Sequence, residues 1–201
     1  MLLHTVIFFG PSGAGKGTQA ALLKAYIEKH DSLRKVLYFG TGSRMREFIG
    51  KDGTLTSKLV NDIINTGKLL PSFIPIWLWS DFLIKNYTGV EHLIFDGTRR
   101  YLEVTALDTA LAFYERKDVR VLVLNVSRDW SLARLKERGK TDKRIDDLKE
   151  KDIDNRLSWY QTEVVPAIDF FRKRPGYRVH DIQGEQTIEE VHHDVTKALG
   201  I

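Results

Sequence analysis

The sequence lacks cysteine altogether, which excludes disulfide bonds and metal sites built on thiolates. It also lacks an apolar run long enough to span a bilayer, because the longest one near the middle of the chain covers only Phe73 to Leu78. Internal repeats and low-complexity linkers are missing as well. We therefore expect one α/β domain of 201 residues with no membrane partner, and the lack of cysteine fits a cytoplasmic location.

A long basic run is also missing, although the formal net charge at pH 7 is +4. An excess of basic over acidic residues suits either a nucleic-acid partner or a small polyanionic ligand. The stretch from Arg172 to Arg174 is short and typical of a solvated helix end. We therefore expect a small polyanionic ligand and no nucleic-acid partner.

Apolar runs alternate with helix-length segments along the whole chain, which predicts a doubly wound parallel sheet of five strands with helices on both faces. The first run follows Met1-Leu2-Leu3-His4 without a basic region, so we expect a strand there and not a signal peptide. The predicted strands cover residues 4–9, 35–39, 91–95, 119–126 and 177–182. The predicted helices cover residues 16–30, 42–50, 54–66, 72–87, 101–117, 128–138, 148–173 and 187–199.

The most informative segment is a glycine-rich stretch at residues 10–19, Gly-Pro-Ser-Gly-Ala-Gly-Lys-Gly-Thr-Gln. It stands between a predicted strand and a predicted helix, which is the context that a phosphate-binding loop requires. Glycines let successive backbone N–H groups point at one anion, and the following helix N-terminus adds positive partial charge there. Lys16 supplies a mobile full charge for the outer phosphates of a nucleotide.

The general phosphate-loop pattern has Ser or Thr directly after the lysine, whereas this chain has Gly17 there and Thr18 one position later. The run Gly-Lys-Gly-Thr-Gln resembles the loop of the adenylate kinase family of nucleoside monophosphate kinases. The resemblance implies a P-loop NTPase three-layer fold and reversible transfer of the γ-phosphoryl group of ATP to a nucleoside monophosphate. It also implies that the loop holds the ATP phosphates with Gly13, Ala14, Gly15, Lys16, Gly17 and Thr18.

Two segments resemble the region that binds the monophosphate in members of that family. Residues 41–46, Thr-Gly-Ser-Arg-Met-Arg, resemble Thr-Gly-Asp-x-x-Arg, although taken alone they fit an ordinary helix start equally well. Residues 67–70, Gly-Lys-Leu-Leu, resemble Gly-Lys-Leu-Val, and Ile64 would line the same pocket or simply pack in the core. The implied monophosphate-binding residues are Thr41, Gly42, Arg46, Ile64, Lys68, Leu70, Gly97 and Arg100.

Residues 96–100, Asp-Gly-Thr-Arg-Arg, resemble the family's Asp-Gly-Phe-Pro-Arg at the end of the third strand. The resemblance implies that Asp96 and Thr18 hold Mg²⁺, Asp96 through water, and that Arg100 bridges the two substrates. Val104 stands where adenylate kinases usually carry a glutamine that reads the adenine edge. The resemblance implies AMP as the acceptor, and we keep UMP or CMP as the alternative because valine cannot form a hydrogen bond with a base.

An arginine-rich region at residues 134–156 resembles the lid of short-lid family members, although such a run by itself is typical of a charged surface helix. The resemblance implies that these arginines close over the phosphates, with Arg134 on the ATP side. The turn at residues 184–187 resembles the one whose backbone touches the ATP adenine, which adds Gln186. The implied catalytic residues are Lys16, Arg100, Arg138, Arg144 and Arg156.

The implied organisation is a single kinase domain. Its core covers residues 1–39, 71–137 and 147–201, with a monophosphate-binding insertion at 40–70 and a short lid at 138–146. We expect a monomer that uses ATP and a nucleoside monophosphate with Mg²⁺. Two further hypotheses are a kinase for a small hydroxyl compound, which the insertion argues against, and a nucleotide-dependent assembly or regulatory ATPase.

Overall fold

The computed structural model describes residues 2–51, 53–66, 68–97, 100–141 and 150–201. The strands are β1 Thr5–Phe9, β2 Val36–Gly40, β3 His92–Asp96, β4 Val119–Asn125 and β5 Tyr177–Gln183. The helices are α1 Lys16–His30, α2 Thr41–Lys51, α3 Leu55–Asn65, α4 Phe73–Asn86, α5 Tyr101–Phe113, α6 Arg128–Thr141, α7 Glu150–Trp159, α8 Val165–Lys173 and α9 Ile188–Leu199. A π-helical turn, Tyr160–Val164, joins α7 to α8.

The described strands form one parallel sheet in the order β2-β3-β1-β4-β5. The predicted doubly wound sheet of five strands is therefore confirmed. In the register of the central strand, Phe8 lies beside Asp96 of β3 and Leu122 of β4. The carboxyl ends of β1 and β3 thus meet at the same edge of the sheet, where ligands bind in folds of this type.

Both faces of the central strand are buried, which is why its sequence is a continuous apolar run rather than an alternating one. Val6 and Phe8 pack on the face covered by α1 and α9, together with residues such as Leu23. Ile7 and Phe9 pack on the opposite face with α5 and α8, against residues such as Phe171. Full burial of each large apolar side chain contributes about 1.5–3 kcal/mol, so these two layers hold the sheet edge in place.

A capping box fixes the turn between β5 and α9. The Thr187 Oγ1 accepts a hydrogen bond from the Glu190 N–H at 3.3 Å, and Glu190 Oε2 accepts one from the Thr187 N–H at 2.9 Å. This pair satisfies two amides that the helix itself leaves without partners. The turn that carries Gln186 is therefore rigidly placed at the same edge of the sheet. Across the described part of the chain, the helices are too short or too polar to traverse a bilayer.

Candidate active site

The loop between β1 and α1 depends on glycines for two different reasons. Gly13 has φ 89°, and a Cβ added there would lie 2.8 Å from the Ser131 carbonyl oxygen of α6. Gly15 caps α1 in the left-handed conformation, with φ 84°, but has open space around a Cβ. The first glycine therefore permits close approach of α6, and the second permits the turn into the helix.

The Lys16 side chain folds back over this loop in the structure. Its Nζ donates hydrogen bonds to the carbonyl oxygens of Gly10 and Pro11, each at 2.8 Å. The two bonds keep the ammonium group beside the helix N-terminus, where an anion is favoured. The loop therefore presents a cation and several backbone amides to one place.

Asp96 lies across from the first turn of α1. A Cβ at Gly17 would be 3.3 Å from Asp96 Oδ2, so the missing side chain leaves room for this carboxylate. The Tyr38 hydroxyl donates to the same oxygen at 3.4 Å. Burial, and then the charge of Asp96, raise the pKa of Tyr38 to about 12, so the phenol stays protonated as a donor.

The oxygen groups at this position suit a hard divalent cation. Thr18 and Asp96 both line the same cavity, and hydroxyl, carboxylate and phosphate oxygens are the ligands that Mg²⁺ prefers. Within the described residues, His, Asp and Glu nowhere gather in a group of three that could hold a metal alone. A cation here would therefore take its remaining ligands from phosphates and water.

The second part of the site joins β3 to the start of α2. Gly97 has φ 102°, and a Cβ there would lie 3.0 Å from both Cβ and Oγ1 of Thr41. The Ser43 hydroxyl donates to the Gly40 carbonyl at 2.9 Å, which ties the first turn of α2 to the end of β2. These contacts place Thr41 beside the end of β3.

One cavity of about 770 Å³ connects these parts. Its lining includes every site residue predicted from the sequence that the structure describes. They are Gly13, Ala14, Gly15, Lys16, Gly17, Thr18, Thr41, Gly42, Arg46, Ile64, Lys68, Leu70, Asp96, Gly97, Arg100, Arg134, Arg138, Arg156 and Gln186. Arg144 lies outside the described residues, as do Gly67, Thr98 and Arg99 of the motifs quoted above. The individual roles of these residues stay predictions.

The cavity is strongly cationic. Among the described lining residues, seven are Lys or Arg and three are Asp or Glu, namely Asp96, Glu103 and Glu137. The cations come from separate elements along the chain, and Arg156 on α7 is only 8% exposed. Converging positive charge in a partly enclosed space suits a ligand with several phosphates.

Arg100 has two anchors. Its Nε donates to Glu163 Oε2 at 3.0 Å, and its Nη1 donates to the Leu70 carbonyl oxygen at 3.0 Å. The side chains of Arg100 and Glu163 are 25% and 35% exposed, so water partly screens this ion pair. The arginine therefore connects the start of α5, the segment at 68–72 and the π-helical turn.

Sequence reasoning missed part of the lining. Val104 is fully buried in the apolar core and does not face the cavity, whereas its neighbour Glu103, 4% exposed, does. Trp130 and Trp159 also line the cavity, although they belong to none of the sequence motifs described above. The Arg134 guanidinium lies 5.0 Å from the centre of the Trp130 ring. Their four-residue spacing on one helix could have indicated this pair.

A phosphate-binding loop after the central strand of a 2-3-1-4-5 parallel sheet defines the class of P-loop NTPases. The family model described as adenylate kinase matches residues 8–175. An adenylate kinase of Flavobacterium psychrophilum is 33% identical to this chain, and the alignment covers 92% of this chain and 93% of the relative. That of Porphyromonas gingivalis is 35% identical over 92% and 90%, and that of Azobacteroides pseudotrichonymphae is 33% identical over 95% and 94%. The chain therefore belongs to the adenylate kinase family and is a nucleoside monophosphate kinase.

Proposed function

We propose that this protein catalyses ATP + AMP ⇌ 2 ADP and that the residues lining the cavity perform the transfer. The observation that carries this proposal is the single cavity that the phosphate loop and the separate arginines share. A kinase that transfers a phosphoryl group from one nucleotide to another must bring the phosphates of both into one such space. The relatives named above are all described as adenylate kinases, which favours AMP over UMP or CMP and disfavours an assembly or regulatory ATPase.

The donor, ATP, is proposed to bind at the phosphate loop. The amides of residues 13–18 face its β- and γ-phosphates at the helix N-terminus. Lys16 exchanges its bonds to the Gly10 and Pro11 carbonyls for charged phosphate oxygens. Arg134 and Gln186, which also line the cavity, are proposed to contact the ATP nucleoside.

The acceptor, AMP, is proposed to bind between α2, the segment at 68–72 and the start of α5. Arg46 and Arg100 hold its phosphate, because a guanidinium can donate two parallel hydrogen bonds to phosphate oxygens. Thr41, Ile64, Lys68 and Leu70 line the space for its nucleoside. Gly42 leaves room for Arg46, since a Cβ there would lie 3.5 Å from its Nη1, and Gly97 leaves room for Thr41.

We propose Mg²⁺ as the metal that accompanies ATP, since the oxygen groups of Thr18 and Asp96 fit a hard cation. The bound cation would neutralise phosphate charge. Thr18 would hold it directly and Asp96 through water, while Tyr38 orients the carboxylate by its hydrogen bond. Gly17 preserves the space that this carboxylate occupies.

Transfer needs no nucleophile from the protein, because the acceptor phosphate attacks the γ-phosphorus of ATP directly. The protein supplies position and positive charge, with Arg138, Arg144 and Arg156 proposed to stabilise the charge on the migrating group. We propose that residues 40–70 and 138–146 move over the core to exclude water, which would otherwise hydrolyse ATP. We propose a monomer, as is usual for small members of the family, and we propose the cytoplasm, which supplies both nucleotides, as its location.

Two substitutions test these assignments. Lys16→Ala and Arg100→Ala should each lower kcat/KM for ADP formation by roughly a thousandfold, while the unfolding midpoint changes little. Lys24→Ala on the same helix and Arg178→Ala on β5 are matched controls, since both residues form exposed ion pairs away from the cavity. Normal turnover in either cavity variant would overturn the assignment.

A further inference from the structure

The Arg100–Glu163 pair links the cavity to an irregular piece of helix. Arg100 lines the cavity, whereas Glu163 lies behind it and is absent from the described lining residues. Glu163 therefore reaches the cavity only through the guanidinium that it holds. A side chain in this place can affect a reaction without contacting either nucleotide.

Glu163 lies within the π-helical turn at Tyr160–Val164. In this turn the Val165 N–H donates to the Tyr160 carbonyl, a bond five residues back instead of four. The next residue, Pro166, has no N–H, so the ordinary hydrogen-bond ladder cannot continue through it. The extra residue in the turn changes the direction in which the following side chains leave the helix, and such turns are frequent at functional sites.

We propose that Glu163 is a positioning residue for phosphoryl transfer, which fixes the plane of the Arg100 guanidinium toward the acceptor phosphate. One hydrogen bond would let this planar group swivel, whereas anchors on Nε and Nη1 fix its plane and direction. The second anchor, Leu70, ends the insertion predicted at 40–70. The same arrangement therefore ties the guanidinium to the segment that is proposed to close over AMP.

The role follows from geometry more than from the energy of the ion pair. A partly exposed carboxylate and guanidinium contribute little net stability, and the negative charge of Glu163 by itself disfavours a nearby phosphate. What Glu163 supplies is an acceptor oxygen at the correct reach for Nε–H. A side chain of the same length with an amide oxygen should therefore replace it better than a shorter carboxylate does.

The test compares Glu163→Gln, Glu163→Asp and Glu163→Ala in the full chain, with ATP, AMP and Mg²⁺. Because the inference rests on the proposed function, ADP formation by the wild type is measured first, and its failure would count against that function alone. We expect Ala and Asp to lower kcat/KM for AMP about tenfold, Gln to stay within about threefold of wild type, and KM for ATP to be unchanged. Asp169→Asn on the neighbouring helix α8 is the control, since that carboxylate lies outside the cavity lining.

A double-mutant cycle separates positioning from a structural role. Titrations with AMP should show that Glu163→Ala weakens affinity in wild type but has no further effect in Arg100→Ala. Unfolding midpoints of all variants verify that they are folded, and Gln and Asp keep the comparison possible if Ala is unstable. Asp equal to or better than Gln, or the same loss of affinity in the Arg100→Ala background, would overturn the inference.

Discussion

Gly17 and Asp96 lie so close that a Cβ on the glycine would be 3.3 Å from Asp96 Oδ2. The position after the loop lysine, where a hydroxyl residue is usual in phosphate loops, is instead left empty for a carboxylate from β3. The hydroxyl is moved to Thr18, which lines the cavity with Asp96. Gly17 thus allows the glycine-rich loop and Asp96 at the end of β3 to lie close together.

Filling this space should weaken the metal site before it weakens the fold. We expect Gly17→Ala to raise the Mg²⁺ concentration for half-maximal activity roughly tenfold, because Asp96 must shift by a few tenths of an ångström. The thermal midpoint should change little, since the neighbour is the end of a side chain. Activity measured against Mg²⁺ checks this, and a half-saturation value equal to that of wild type would contradict it.

The two loop glycines should respond differently to alanine. Gly13→Ala brings a Cβ to 2.8 Å from a backbone oxygen of α6 and adds left-handed strain, so we expect the free energy of unfolding to fall by about 3 kcal/mol or more. Gly15→Ala meets open space and carries only the strain, about 1–2 kcal/mol. Urea unfolding of both variants measures this difference, and equal losses would refute the assigned contact with Ser131.

The Trp130–Arg134 pair should serve the ATP side of the cavity. We expect Trp130→Ala to raise KM for ATP about threefold, because loss of the ring removes a cation–π contact worth roughly 0.5–1 kcal/mol. Trp130→Phe should be intermediate, and KM for AMP should be unchanged in both. Steady-state kinetics with each substrate varied in turn checks this, and a change confined to AMP would show that the pair serves the other substrate.

Acid should destabilise the opposite end of the sheet through two stacked histidines. The rings of His4 and His92 stack, and His92 Nδ1 accepts a hydrogen bond from the backbone N–H of His4. Asp31 Oδ2 lies 3.3 Å from His92 Nε2. Burial, then His92 and the nearby arginines, lower the pKa of His4 to about 4, from 6.5. Burial also lowers the pKa of His92 despite Asp31.

The sign of the effect follows from these lowered values. The unfolded chain binds protons more readily than the folded chain. The stability that the neutral histidine contributes is therefore complete above pH 6.5 and is lost as the pH falls toward 4. For His4 it amounts to about 2 kcal/mol after allowance for partial exposure. His4→Leu should flatten unfolding free energies measured between pH 7 and pH 4, whereas an unchanged pH profile would exclude His4 as the source.

The sheet was predictable because its central strands, β1, β3 and β4, are short, mostly apolar and buried on both faces. Each observed strand begins and ends within a residue or two of its prediction. Helix ends were less accurate where the backbone decided them. Helix α5 was predicted to reach residue 117 but ends at Phe113, shortly before Glu115 takes a φ of 53°.

The site was predictable where a motif fixes the backbone and less so where tertiary contacts choose the side chain. Val104 and Glu103 are neighbours, and only the packing of α5 on the sheet shows that the valine faces the core while the carboxylate faces the cavity. Glu163 carries no motif, because its contact with Arg100 spans 63 residues and depends on a π-helical turn. Sequence spacing read as a regular helix, as predicted for 148–173, could not reveal that contact.

The most direct test of the account is ADP formation from ATP and Mg²⁺ with AMP, UMP or CMP as acceptor, and with no acceptor. We predict rapid and reversible transfer to AMP, with kcat/KM at least roughly tenfold above that for either pyrimidine nucleotide, and negligible ATP hydrolysis without an acceptor. Faster transfer to UMP or CMP would contradict the acceptor assignment. Hydrolysis of ATP that is indifferent to every monophosphate would contradict the kinase itself.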